Sequence, residues 1–253
     1  MRDFLDATLP ASIAGLLTVL LYFAPVAAGL AIARAWRHLP DWPPAGRGLA
    51  AGLLTFLLFR DAGLTLNLGL DLAGWAESLV YLAAFLTGLL VPAYVGHLRT
   101  ALPPVRRSAW TWVAALGLHG AAESWALPAA LEAGGLHPLA AGALALRQMA
   151  AGWGVGLLLT EGHLPSRREL GWAIILGGGP AVVMASLVPA SGFGPWTSVL
   201  RAGAAGLLLA GLLGGRLLPG AHGENPHAEW GFALAFVAGV SAMYLLLRLE
   251  GML

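Results

Sequence analysis

The sequence contains no cysteine and little charge. Without cysteine the chain cannot form a disulfide, a thiolate nucleophile or a cysteine-based zinc or iron–sulfur site. Charged residues make up only 11% of the 253 positions, hydrophobic residues make up 58%, and the mean hydropathy is +0.76, so an ordinary soluble domain is excluded. The net charge of +1 and the scattered arginines argue against nucleic acid as a partner.

Apolar segments follow one another along almost the whole chain. A hydrocarbon core about 30 Å thick needs roughly 20 apolar residues of helix to cross it. Breaks at proline, glycine and clustered charges predict an all-α integral membrane protein, with one transmembrane domain over residues 1–253 and the first segment retained as a helix. The eight predicted spans lie near residues 11–34, 48–61, 77–97, 108–131, 138–160, 169–189, 198–218 and 229–247, and the second continues through Leu70.

The arginines predict the orientation of these spans, because short cytoplasmic loops accumulate positive charge. Alternate loops contain nine of the fourteen basic residues: Arg34, Arg37, Arg47, Arg99, Arg106, Arg107, Arg167, Arg168 and Arg216. Both termini are therefore expected on the extracytoplasmic side of a multi-pass protein in the inner (cytoplasmic) membrane. A homodimer is compatible with this arrangement.

An acidic connection is predicted after the second span. Asp61, Asp71 and Glu77 fall there, on the side expected to face outward. Such a group of carboxylates could concentrate cations at the mouth of a pathway through its electric field. A solvated acidic loop without a role in transport is the alternative interpretation.

Two predicted spans contain ionisable residues, which are costly inside a membrane and therefore mark candidate sites. In the fourth span, LGLHGAAESWALP, His119 and Glu123 lie four residues apart and share a helical face. An imidazole and a carboxylate at this spacing can converge on one metal ion. The alternative is a hydrogen bond that only holds helices together. The fifth span places Arg147 and Gln148 near the same depth, and Glu123 is the expected partner of Arg147 because a buried guanidinium must find an anion or water.

The sixth span contains Met184 one turn after the sequence GGGP at 177–180. A thioether can bind a soft metal ion, although a methionine in an apolar helix more often contributes packing. Met184 is therefore kept as a candidate ligand beside the polar residues of the fourth and fifth spans.

Taken in order, these segments resemble the ZIP family (Zrt/Irt-like proteins), which import zinc and related divalent metals. HGAAES resembles the family signature H-N-x-P-E-G, and AAGLLTFLLFRD resembles the family's A-A-G run, which ends in an aspartate that would be Asp61. GGRLLPGAH resembles the family's E-E-L-L-P-E-A-H, and GFALAFVAGVSAMYLLL resembles its closing helix. The resemblance implies a ZIP-like bundle of eight helices that transports zinc, iron or manganese as a small inorganic cation and has no enzymatic activity. His119 and Glu123 would be the principal metal ligands, with Gln148 or Met184 as further ligands.

The sequence departs from the family where further ligands are usual. In the fifth span, RQMAAG takes the place of family forms such as Q-N-I-P-E-G, so Arg147, Gln148 and Ala151 replace the usual ligands. In the sixth span, Met184 replaces a glutamate. In the seventh, Gly215 and Arg216 replace an acidic pair. Two alternatives to metal transport follow. The same fold could recognise an anionic or zwitterionic solute, or act without transport. An intramembrane metal hydrolase would use His119 to bind zinc and Glu123 as base, but such sites need about three protein ligands.

Overall fold

The computed structural model describes residues 13, 15–36, 43–71, 75–98, 104–125, 127, 137–160, 165–187, 194–214 and 226–251. Over these ranges the chain forms eight helices and no β-strand, which confirms the all-α class. The helices are α1 (Gly15–Trp36, with a π-helical stretch Val19–Phe23), α2 (Pro43–Asp71), α3 (Trp75–Leu98), α4 (Pro104–Ser124), α5 (Pro138–Thr160), α6 (Arg167–Leu187), α7 (Gly194–Gly214) and α8 (Pro226–Gly251).

Local sequence sets several of the helix starts. Four helices, α2, α4, α5 and α8, begin at proline, which is tolerated in the first turn because its missing N–H would have no partner there. Before α6, Ser166 N donates to Glu169 Oε2 at 2.9 Å and Glu169 N donates to Ser166 Oγ at 3.2 Å. This reciprocal capping satisfies backbone donors at the start of α6.

The helices correspond in order to the predicted spans. As predicted, α2 continues through Leu70 and ends at Asp71. The predicted span ends at residues 131, 189 and 218 lie outside the described residues, as do Gly215 and Arg216. The predicted position of Asp61 in an outer connection is wrong. Nothing in the sequence after Asp61 stops α2, so this side chain lies within the helix and is buried.

Five helices, α1, α5, α6, α7 and α8, are long and apolar enough to cross a membrane. In α3 the apolar part is shorter and covers Glu77–Pro92. The helices α2 and α4 contain charged residues within their apolar sequence, among them Asp61 and Glu123. Large apolar side chains are exposed along α3 and α8, as expected of surfaces facing hydrocarbon; they include Leu79, Leu82, Leu86, Leu90, Leu234, Val237 and Leu245. These features identify a multi-pass membrane protein.

The helix contacts follow a two-fold pattern. The contact of α1 with α5 corresponds to the contact of α6 with α4. The contact of α2 with α8 corresponds to the contact of α7 with α3. Likewise, α2 contacts α5 as α7 contacts α4, and α5 contacts α8 as α4 contacts α3. The pattern relates α1, α2 and α3 to α6, α7 and α8, and it exchanges α4 with α5. Among the principal contacts between described residues, only that of α2 with α3 lacks its counterpart.

The relation matches every odd-numbered helix with an even-numbered one. This is the contact pattern expected of inverted repeats, whose symmetry axis lies in the plane of a membrane. Three helix pairs that the relation maps onto themselves are also in contact: α4 with α5, α1 with α6 and α2 with α7.

Short sequence repeats support the same relation. AAGLL occurs at 50–54 in α2 and at 204–208 in α7, and AF followed by glycine three residues later occurs at 84–88 in α3 and at 235–239 in α8. The shared glycines have the same packing role in both halves. A Cβ atom added at Gly52 would overlap the carbonyl oxygen of Phe236, and one added at Gly206 would overlap that of Phe85. Small residues thus allow α2 and α8, and equally α7 and α3, to approach closely.

Candidate functional site

Six polar side chains from three helices meet inside the bundle. Helix α2 contributes Arg60 and Asp61, α4 contributes His119 and Glu123, and α5 contributes Arg147 and Gln148, and these six residues form the charge cluster. Five of them are at most 7% exposed, whereas the Arg60 side chain is 18% exposed. So much buried polarity requires mutual hydrogen bonding.

The Glu123 carboxylate is the centre of the charge cluster. Arg147 Nη1 donates to Oε1 at 3.0 Å and Nη2 donates to Oε2 at 2.8 Å, which is the bidentate geometry of a strong guanidinium–carboxylate pair. Gln148 Nε2 also donates to Oε2, at 3.0 Å, and Arg60 Nη1 donates to Oε1. The predicted pairing of Arg147 with Glu123 is confirmed.

His119 lies between the carboxylates of two different helices. Its Nδ1 is 2.8 Å from Asp61 Oδ2, while its Nε2 is 3.3 Å from Glu123 Oε2 and 3.4 Å from Arg147 Nη1. A neutral imidazole donates from one nitrogen and accepts at the other. With the proton on Nδ1, Nδ1 donates to Asp61 and Nε2 accepts from Arg147; a second proton on Nε2 would be donated to Glu123 instead.

Contacts of α4 with α6 hold the Glu123 end of α4 in place. Ser124, the next residue, donates a hydrogen bond from Oγ to the carbonyl oxygen of Ala181 at 2.9 Å and is buried. One turn earlier, a Cβ atom added at Gly120 would lie 3.4 Å from Ala181 Cβ, so the two helices are already close. The small residues of HGAAES therefore let α4 pack tightly behind the face that carries His119 and Glu123.

The charges of the cluster compensate one another. Two guanidinium groups, Arg60 and Arg147, balance two carboxylates, Asp61 and Glu123, and the imidazole of His119 lies between the two carboxylates. Isolated charges in this position would be strongly unfavourable, whereas paired and hydrogen-bonded charges can be buried. The arrangement therefore explains how α2 and α4 tolerate charged residues within the bundle.

The donor set of the cluster is poorly suited to a divalent cation in this conformation. Over the described residues, no group of three or more His, Cys, Asp or Glu side chains could hold a metal ion. Asp61 and Glu123 contact opposite nitrogens of His119, so the three side chains do not converge on one point. Arg147 Nη1 contacts both His119 Nε2 and Glu123 Oε1, the groups expected to share an ion. A cation there would also face a second guanidinium, that of Arg60.

The other sequence predictions fare differently. Gln148 lies in the cluster but donates its amide N–H to Glu123. Met184 lies on α6 and is half-buried, and no hydrogen bond described for the cluster involves it. Asp61 belongs to the cluster through His119. Sequence reasoning gave Arg60 no role, although its position beside Asp61 in an apolar run was a usable signal.

Comparison of the chain with family models, curated proteins and solved structures finds no match. The resemblance to the ZIP family therefore depends on the quoted residues alone.

Proposed function

We propose that this protein is a solute transporter of the inner (cytoplasmic) membrane that exposes the charge cluster alternately to the two sides. The observation that supports this proposal is the two-fold pattern of helix contacts around a buried polar cluster. Inverted repeats characterise many transporters in which one group of helices moves against another around a central site. Ionisable side chains inside the membrane commonly mark the substrate pathway.

The position of the cluster supports this proposal. Its residues come from α2, α4 and α5, and the relation between the halves exchanges α4 with α5. A change in the contacts between these helices would alter which side of the cluster is closed. In the proposed topology eight spans cross the membrane and both termini are extracytoplasmic, in accord with the distribution of arginines.

Single introduced cysteines test alternating access, because the chain contains no cysteine of its own. Ala151 is buried and lies one turn after Arg147 and Gln148 on the same helix. In intact cells and in inverted membrane vesicles, a membrane-impermeant thiol reagent is expected to label Ala151→Cys from both sides. Labelling from one side only, or from neither side, is the result expected of a static bundle and would contradict the proposal.

Three further variants serve as controls. His137→Cys is expected to react only from the extracytoplasmic side and Ser166→Cys only from the cytoplasmic side; both residues are exposed near helix starts. Leu234→Cys, on the exposed apolar face of α8, should not react with the charged reagent from either side. Reversed labelling of His137→Cys and Ser166→Cys would overturn the proposed orientation.

A divalent metal ion of the zinc, iron or manganese class is the second candidate cargo. The spacing of His119 and Glu123 within HGAAES favours it, because this pair resembles a metal-ligand pair of the ZIP family. In the observed conformation both side chains contact Arg147. Metal transport would therefore require Arg147 to move away from the pair, and uptake measurements with metals distinguish the two cargo classes.

A further inference from the structure

We infer that the charge cluster is a binding site for a small solute bearing a carboxylate, and that Glu123 fills this site as a tethered ligand when no solute is bound. The inference rests on the proposed transport function and adds the chemical class of the cargo. It follows from the number of donors directed at Glu123 and from the helices that supply them.

The surroundings of Glu123 satisfy a carboxylate almost completely. An ionised carboxylate has about four lone-pair sites, and four N–H groups from Arg60, Arg147 and Gln148 donate to the two oxygens of Glu123. The fork of Arg147 holds both oxygens in one plane. The four donors are all used by two oxygen atoms, so the two further oxygens of a sulfate would receive none of them.

The donors and the carboxylate come from different helices. Arg60 lies on α2, and Arg147 and Gln148 lie on α5, whereas Glu123 extends from α4. The donor set can therefore remain assembled on α2 and α5 while the flexible Glu123 side chain leaves. A free carboxylate could then accept the same hydrogen bonds, so each guanidinium would keep an anion, while the displaced Glu123 would reach water or take up a proton.

The two arginines of the cluster differ in exposure. The Arg60 side chain is 18% exposed, whereas the side chain of Arg147 is 1% exposed. An entering carboxylate would therefore meet Arg60 first and Arg147 afterwards. This order suits exchange, because Glu123 keeps its two bonds to Arg147 until the incoming anion has bound Arg60.

Removal of the Glu123 carboxylate should open the site to added carboxylates. Acetate, titrated at constant ionic strength into purified Glu123→Ala protein, is expected to raise its thermal unfolding midpoint in a saturable way. The apparent dissociation constant should be at least tenfold lower than in Glu123→Gln, whose amide fills the same space. Sulfate and zinc should not reproduce the effect, and Glu123→Ala combined with Arg147→Gln should lose it. Equal responses in all variants, or stabilisation by zinc alone, would overturn the inference.

A second measurement keeps Glu123 in place and does not depend on the folding of Glu123→Ala. With Ala151→Cys in membranes, acetate or a larger carboxylate should slow alkylation at least threefold, while sulfate should not. Protection by zinc without protection by carboxylates would overturn the carboxylate site and leave the transport proposal intact. A cysteine that reacts from neither side would overturn the transport proposal, whereas saturable acetate binding by Glu123→Ala would still support the carboxylate site.

Discussion

Replacing Arg147 with alanine is expected to lower the free energy of unfolding by about 3–5 kcal/mol, the usual cost of removing one partner of a buried ion pair. The substitution removes both bonds of the guanidinium to Glu123 and its contact with His119. Arg60 and Gln148 continue to donate to Glu123 and place the expected effect toward the lower end of this range. Unfolding of the purified protein in a fixed detergent, followed by circular dichroism, provides the measurement.

Arg248→Ala is a matched control for this experiment. Arg248 is exposed and contacts Tyr244 through a 2.8 Å hydrogen bond and through the aromatic ring. Its removal should change stability by less than about 1 kcal/mol, as is usual for exposed charged side chains. Glu123→Gln combined with Arg147→Gln should cost less than the sum of the two single changes. If Arg147→Ala lowered the free energy of unfolding no more than Arg248→Ala does, the pairing of Arg147 with Glu123 would not stabilise the fold.

Gly206→Ala is expected to destabilise the protein by about 1–3 kcal/mol, because the added methyl group would be forced against a neighbouring backbone. A Cβ atom at this position overlaps the Phe85 carbonyl oxygen and lies 2.9 Å from Leu89 N. Neither backbone atom can move without shifting α3. The repeat predicts a similar loss for Gly52→Ala, whose new methyl group would meet Phe236 in α8. Thermal unfolding of both variants measures the effect.

Gly142→Ala should change stability in the opposite direction. Gly142 lies in α5, and a Cβ atom there would meet no atom within 4 Å. The better helix propensity of alanine should then raise stability by up to about 1 kcal/mol. Opposite signs for Gly206→Ala and Gly142→Ala would support close packing as the role of the repeated glycines. Equal effects at the two sites would contradict it.

The pairing of Arg147 with Glu123 could be predicted from the sequence, whereas the position of Asp61 could not. Arg147 and Glu123 could be paired in advance, because a charge within an apolar span must find an opposite charge. Asp61 was misplaced because the apolar run was judged to end at the first acidic residue. The sequence beyond Asp61 continues α2, and His119 of another helix binds the buried carboxylate. Such a contact between distant segments cannot be read from α2 alone.

The two-fold relation between the helices could not be predicted from the sequence. Packing constrains a few small residues, such as Gly52 and Gly206, that lie where backbones approach closely. Lipid-facing positions require only apolar character, so their identities differ freely between the halves. The helix contacts were needed to show which short similarities are equivalent. By contrast, the all-helical class follows from composition, because regular helices satisfy their backbone hydrogen bonds within the membrane.

The central departure from the ZIP resemblance is physical. Arg147 supplies a permanent positive charge beside His119 and Glu123. A guanidinium remains protonated in proteins, so this charge is present throughout any transport cycle. A divalent cation between His119 and Glu123 would have to displace Arg147 from Glu123, whereas the proposed carboxylate cargo would accept the hydrogen bonds of Arg147 and Arg60.

Uptake by proteoliposomes tests this account most directly. Vesicles containing the wild-type protein would be supplied in parallel with labelled small carboxylates and with labelled zinc, iron and manganese, and protein-free vesicles would give the background. The account predicts carboxylate uptake above background that is lost in Arg147→Gln, and metal uptake at background. Uptake of a metal that is abolished by His119→Ala, with carboxylate uptake at background, would contradict it.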